Sequence, residues 1–170
     1  HPGARSYSVS GRVKYPGIVF APAGSTVNEL IQKCGGILDG HKFKAYLPGG
    51  ASGGILPSAK GDVPLDFGGE LTEYGCFVGS HAIVILSDKD NLADVALNLI
   101  SFFKHESCGQ CTPCRNGTEK IINIIKNNSK WDKDLLSDIS EVMANASICG
   151  LGQAAPNPIL SVLKFFPKDV

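Results

Sequence analysis

Three cysteines follow one another at a spacing that suits metal binding. Cys108, Cys111 and Cys114 form a C-x2-C-x2-C run, and Cys149 stands alone further along the chain. Two residues between cysteines allow successive sulfurs to surround one inorganic core, and three such thiolates with a distant fourth match the ligation of a 4Fe-4S cluster. The spacing therefore predicts one iron–sulfur centre held by these four residues.

The residues around the run fit a negatively charged cluster. Gly109 has no Cβ, so its backbone can pass close to a bulky cluster and point amide N–H groups at the sulfides. Pro113 suits the first turn of a helix, which would place Cys114 at a positive helix end. Because four thiolates make the cluster an anion, we expect Gly109 and Arg115 to tune its potential. After Cys149, the Gly150-Leu151-Gly152 segment predicts a flexible backbone that wraps the ligand.

Two other uses of the cysteines stay open. A structural zinc site also takes four cysteines, but it usually pairs them as two separate knuckles. Disulfides are less expected, because the N-terminal residues contain no apolar signal segment and clustered thiols outside the secretory route more often bind metal. Cys34 and Cys76 each stand alone, and we expect both to be buried structural thiols rather than ligands.

Composition excludes several classes of function. The chain has 170 residues, with 16 basic and 16 acidic side chains, and so lacks the basic surface expected of a nucleic-acid binder. No run of about 18 apolar residues occurs, so we expect no membrane span and a cytoplasmic location. The chain begins without Met, and we interpret it as a piece of something longer.

Residues 1–88 predict a small β-grasp domain in which one helix packs on a mixed sheet. The pattern indicates strands near 7–13, 18–20 and 43–47, and a continuous apolar run indicates a buried strand over 82–86. Thr26 with Glu29 forms a capping box that opens a helix. The glycine-dense segment 47–57 matches no phosphate-binding motif and predicts a structural or docking loop.

Residues 89–170 predict a helical domain that carries the cluster. Four amphipathic helices joined by short loops suggest a small bundle with the cluster at one end, and we expect every apolar stripe to face its core. A polar connector is expected over 126–133. His105 and Glu106 adjoin the motif, where tuning, proton relay, capping and surface roles are all open. No catalytic triad is indicated, and the scattered histidines are expected to be solvated or packed: His1, His41, His81 and His105.

These motifs resemble those of a known family. The segment 106–115 with its distant cysteine is similar to the cluster motif of the NADH-oxidising flavoprotein subunit of respiratory complex I and its relatives in soluble hydrogenases and formate dehydrogenases. Residues 8–17 and 47–52 resemble the SLBB (soluble-ligand-binding β-grasp, ubiquitin-like) domain of that subunit. Segments 51–57 and 147–158, with the short gap before Cys149, look most like the β subunit of soluble NAD-dependent formate dehydrogenase.

The resemblance implies an electron-transfer role for this chain within an oxidoreductase. It implies that Cys108, Cys111, Cys114 and Cys149 bind a 4Fe-4S cluster beside FMN, with FMN and NAD held in an N-terminal domain absent from this chain. The implied partners are that domain and the iron–sulfur (γ-type) and molybdenum-type (α) subunits of a formate dehydrogenase-like complex. We therefore expect the chain alone neither to bind FMN nor to reduce NAD. The alternative is a non-redox interaction module with a structural zinc site.

Overall fold

The computed structural model describes residues 3–128 and 130–170 and divides the chain into two compact units, His1–Asp90 and Asn91–Val170. The predicted solvated role of His1 falls outside the described residues, as does position 129 of the predicted polar connector.

The first unit is built on one five-stranded sheet. Its strands are β1 (Ala4–Gly11), β2 (Gly17–Pro22), β3 (Phe43–Leu47), β4 (Leu56–Pro57) and β5 (Ala82–Ser87), in the spatial order β2-β1-β5-β3-β4. The central strands β1 and β5 run parallel, and the other pairs are antiparallel. This arrangement confirms the predicted β-grasp fold.

One helix, α1 (Val27–Lys33), supplies much of the core beneath this sheet. The Thr26 hydroxyl accepts a hydrogen bond from the Glu29 backbone N–H, and the Glu29 carboxylate accepts one from the Thr26 backbone N–H. This capping box satisfies two N–H groups that the first helical turn would otherwise leave unpaired. Val27 and Leu30 are fully buried beneath the sheet.

The glycine-dense segment 47–57, predicted as a structural or docking loop, also contributes a strand to the sheet. It contains β4, which pairs with β3 through Ala45 and Tyr46. A Cβ at Gly49 would lie 1.8 Å from the carbonyl oxygen of Val78, so only glycine fits there. The sequence prediction also missed a short helix, α2 (Glu70–Glu73), between this segment and β5.

The second unit consists of helices. They are α3 (Leu92–Glu106), α4 (Thr112–Asn127), α5 (Lys133–Ala146), α6 (Gly150–Ala154) and α7 (Asn157–Phe165). The four predicted helices are therefore present, and α6 is an addition. Their core contains Ile100, Ile121, Leu136 and Ile159, all with no exposed surface.

Four apolar residues depart from the prediction that every stripe faces the core. Leu135, Val142 and Ala146 on α5 and Leu160 on α7 are exposed, Val142 by 55%. Their apolar faces are wider than the bundle can cover. No helix within the described ranges combines the length and apolar character that crossing a membrane requires.

Candidate metal centre

The loop between α3 and α4 presents the three clustered cysteines at different depths. Cys108 is exposed in the loop, Cys111 is the N-cap of α4, and Cys114 lies in the first turn of that helix with only 5% of its surface exposed. Pro113 stands at the start of α4, where its missing N–H costs no helical hydrogen bond. The expected position of Cys114 at a positive helix end is confirmed.

Cys149 belongs to the same site, although it lies 35 positions after Cys114 in the sequence. Helix α5 ends at Ala146 with Ser147 as its C-cap, and Cys149 is the N-cap of α6. The segment after Cys149 was expected to be flexible, and this prediction was wrong. Gly150 and Gly152 are helical residues of α6.

All four thiols line one small cavity of about 130 Å³. Besides the cysteines, its walls are formed by Glu106, Ser107, Gln110 and Leu151. Cys108 and Cys149 are exposed, so the cavity opens on their side and is closed on the side of Cys114. Across residues 3–128 and 130–170, no three His, Cys, Asp or Glu side chains converge closely enough to hold a single ion; the thiols surround the cavity instead.

Backbone hydrogen bonds favour the ligand form of one thiol. The pKa of Cys111 is lowered, chiefly by hydrogen bonds from the backbone of Ile148 and then of Cys114. The Ser147 side chain adds a weaker effect to this pKa shift, although its hydroxyl makes no hydrogen bond of ordinary geometry to a described residue. A lowered pKa increases the thiolate fraction, and the thiolate is what binds metal.

The packing around the buried Cys114 is tight. A Cβ on Gly152 would lie 2.5 Å from the Ser147 Oγ and 2.8 Å from the Cys114 Cβ. The Ser147 Oγ is buried and has no hydrogen-bond partner among the described residues. A buried donor beside a cavity lined by four thiols suits an inorganic group whose sulfurs accept hydrogen bonds.

Hydroxyl groups also hold the buried Cys114. The Ser107 Oγ lies 3.3 Å from the Cys114 Sγ, and the backbone N–H of Gly109 donates to the same Oγ at 3.2 Å. The Thr118 hydroxyl donates to the Cys114 carbonyl oxygen at 2.9 Å. The sequence did not single out Ser107 or Ser147 as site residues, because a serine near a cysteine has no distinctive spacing.

The two predicted tuning residues, Arg115 and Gly109, lie in different surroundings. Arg115 is exposed, donates a hydrogen bond to the Gly109 carbonyl oxygen and is not a lining residue. Gly109 has φ of 72°, and a Cβ there would meet nothing within 4 Å, so its backbone conformation rather than crowding within the chain favours glycine. Glu106 lines the cavity, whereas His105 is exposed on the last turn of α3.

The remaining cysteines and histidines lie elsewhere. Cys34, the C-cap of α1, and Cys76 are buried in the first unit, as expected, and burial raises the pKa of Cys34. His41 hydrogen-bonds the Ser87 hydroxyl at 2.7 Å. His81 packs edge-on against two aromatic rings, with its pKa lowered mainly by burial.

Comparisons with known proteins match both halves of the chain. Residues 94–170 match the NADH-ubiquinone oxidoreductase-F iron–sulfur binding region, and residues 6–56 match the SLBB domain. The F subunit of the NADH-quinone oxidoreductase of Mycobacterium tuberculosis is 39% identical over 99% of this chain, which spans 39% of that relative's length.

Hydrogenase subunits are similar over the same region. The NADP-reducing hydrogenase subunit HndC of Solidesulfovibrio fructosivorans is 34% identical over 98% of this chain and 35% of its own length. The crystal structure of an NAD+-reducing NiFe hydrogenase in the H2-reduced state superimposes with a TM-score of 0.85 and 27% identity, over 98% of this chain and 29% of the other.

Proposed function

Because this chain carries the SLBB domain and the iron–sulfur binding region of proteins like the F subunit of NADH-quinone oxidoreductase, we propose that four of its residues bind one 4Fe-4S cluster: Cys108, Cys111, Cys114 and Cys149. The observation that carries the proposal is that all four thiols line the same cavity. When bound, such a cluster supplies a one-electron redox couple. The second unit would then act as an electron-transfer segment of an NAD-linked oxidoreductase.

The size of the cavity favours a polynuclear cluster over zinc. A zinc ion holds each thiolate sulfur at about 2.3 Å, which leaves no empty volume between the four sulfurs. The cavity of about 130 Å³ that these cysteines share with four other lining residues is larger than one ion needs. The buried Ser147 hydroxyl and the backbone groups that lower the pKa of Cys111 add hydrogen-bond donors that sulfur ligands would accept.

The flavin and nicotinamide sites are proposed to lie outside this chain. The chain spans 39% of the length of its Mycobacterium relative, and the full activity would belong to the longer subunit within a cytoplasmic complex. We propose the formate dehydrogenase branch on the likeness of segments 51–57 and 147–158. Formate, but not hydrogen, should then reduce the cluster in the purified complex, as seen by EPR, and reduction by hydrogen would contradict the branch. Measurable FMN binding by the 170-residue chain would contradict the placement of the flavin.

Metal analysis after anaerobic reconstitution tests the ligand assignment. The wild-type chain should hold about four irons and four acid-labile sulfides. Cys149→Ala should lose or degrade the cluster, whereas Cys76→Ala, a control that removes a buried thiol from the other unit, should keep it. One zinc without sulfide would instead make the second unit a structural module.

A further inference from the structure

The Ser107 hydroxyl lies between a backbone donor and the sulfur of one proposed ligand. Ser107 ends α3 as its C-cap, and its Oγ is 3.3 Å from the Cys114 Sγ. The Gly109 backbone N–H donates to the same oxygen at 3.2 Å. A single hydroxyl therefore joins the end of α3, the cysteine loop and the first turn of α4.

The direction of the hydrogen bond to sulfur follows from the number of hydrogens available. A thiolate carries no hydrogen and can only accept. The Ser107 oxygen already accepts from Gly109, so its own hydrogen is free to point at the Cys114 sulfur. A hydrogen bond in which one partner is ionised is roughly twice as strong as one between neutral groups.

Burial makes this contact more effective than a similar one at the two exposed cysteines. Cys114 is 5% exposed, whereas Cys108 and Cys149 are exposed to solvent. Hydrogen bonds act more strongly where the local dielectric constant is low. The Cys114 backbone is also fixed, because the Thr118 hydroxyl donates to its carbonyl oxygen at 2.9 Å.

We propose that Ser107 is a positioning residue whose hydroxyl donates a hydrogen bond to the Cys114 sulfur and raises the reduction potential of the cluster. This inference rests on the function proposed above. A donor at the sulfur stabilises the extra negative charge of the reduced cluster more than it stabilises the oxidised form, because hydrogen bonds to the sulfurs are one of the terms that set such potentials.

An EPR-monitored redox titration of the cluster-loaded chain tests the proposal with three variants. Ser107→Ala removes the donor, Ser107→Thr keeps the hydroxyl, and Ser137→Ala removes an exposed serine from α5 as the matched control. In Ser107→Ala the reduced-to-oxidised ratio at a fixed potential should fall about tenfold, which is a shift of about −59 mV for a one-electron couple. The other two variants should titrate like the wild type.

The possible results separate this inference from the proposed function. If Ser107→Ala holds a full cluster and has the same reduction potential as Ser137→Ala, the proposed role of Ser107 is overturned but the proposed function is not. If Ser107→Ala loses the cluster, Ser107→Val, which matches Ser107→Thr in shape but lacks the hydroxyl, takes its place. A strongly coupled exchangeable deuteron that Ser107→Thr shows in D2O and Ser107→Val lacks supports the proposal, and equal deuterium hyperfine spectra of the two reduced variants overturn it. Zinc without sulfide in the wild type overturns the proposed function and this inference with it.

Discussion

Replacing Gly152 by alanine should disturb the metal centre from behind. A Cβ at this position would lie 2.5 Å from the Ser147 Oγ, 2.7 Å from the Ser147 Cβ and 2.8 Å from the Cys114 Cβ. Real Cβ contacts are longer than this, so α6 must shift or the two neighbours must move. Either response displaces Cys114 or the segment that leads to Cys149.

Gly150 provides the matched control for this change. It belongs to the same short helix, is exposed, and a Cβ there would meet nothing within 4 Å. Both substitutions gain the same kind of helix-propensity benefit, up to about 1 kcal/mol for glycine to alanine. Only Gly152→Ala adds overpacking, which typically costs about 1–3 kcal/mol. Gly152→Ala should therefore be about 1–3 kcal/mol less stable than Gly150→Ala.

Trp131 makes the assay specific to the second unit. It is the single tryptophan of the chain and is 6% exposed, so its fluorescence in urea reports the unfolding of that unit. Iron content after reconstitution should fall in Gly152→Ala and stay at the wild-type level in Gly150→Ala. Adding Ser147→Gly should restore part of the lost stability, because two of the three close contacts are to Ser147. Equal stability and equal iron content in the two alanine variants would refute the packing argument.

Two further predictions concern charged side chains. Arg115→Gln should lower the reduction potential of the cluster by about 10–40 mV, the range expected for an exposed charge. Arg115→Lys, which keeps the charge, should keep the potential. An unchanged potential in Arg115→Gln would show that Arg115 does not tune the cluster. Hydrogen bonds from Arg12, followed by one from the Ser87 backbone N–H, lower the pKa of Asp90 to about 2. The folded unit then binds fewer protons than the unfolded chain, so this stabilisation is complete above about pH 4 and is lost as the pH falls toward 2. Asp90→Asn should lower the free energy of unfolding by about 1–2 kcal/mol at pH 7 and make it nearly independent of pH between pH 4 and 2. Unfolding can be followed by the fluorescence of the four tyrosines, which all lie in the first unit. An Asn variant that keeps the wild-type pH profile would contradict this prediction.

Features set by neighbouring residues could be predicted from the sequence. The capping box at Thr26 needs only a residue three positions away, and the helix start at Pro113 follows from its fixed φ. The β-grasp fold also follows from the order of the elements along the chain. Two strands, a helix and later strands, one of them a continuous apolar run, leave few ways for the strands to pair. Cys108, Cys111 and Cys114 also lie together at one helix end because only two residues separate each from the next.

Features set by distant contacts could not be predicted. The Gly-Leu-Gly segment after Cys149 suggests flexibility, yet Gly152 is helical and its missing side chain makes room for Ser147 and Cys114. The pair Arg12 and Asp90 is separated by 78 positions, and no local pattern connects these residues. The strand β4 is two residues long and depends entirely on pairing with β3.

The two serines of the site show why its outer contacts require the folded structure. Ser107 already uses its hydroxyl between Gly109 and Cys114, whereas the buried Ser147 hydroxyl has no hydrogen-bond partner in the part of the chain that the structure describes. A buried hydroxyl without a partner costs about 1–3 kcal/mol. The sulfur of Cys111, whose pKa the Ser147 side chain helps to lower, becomes a stronger acceptor as a thiolate. Cluster binding, which keeps Cys111 as a thiolate, should therefore offset part of this cost and stabilise the second unit.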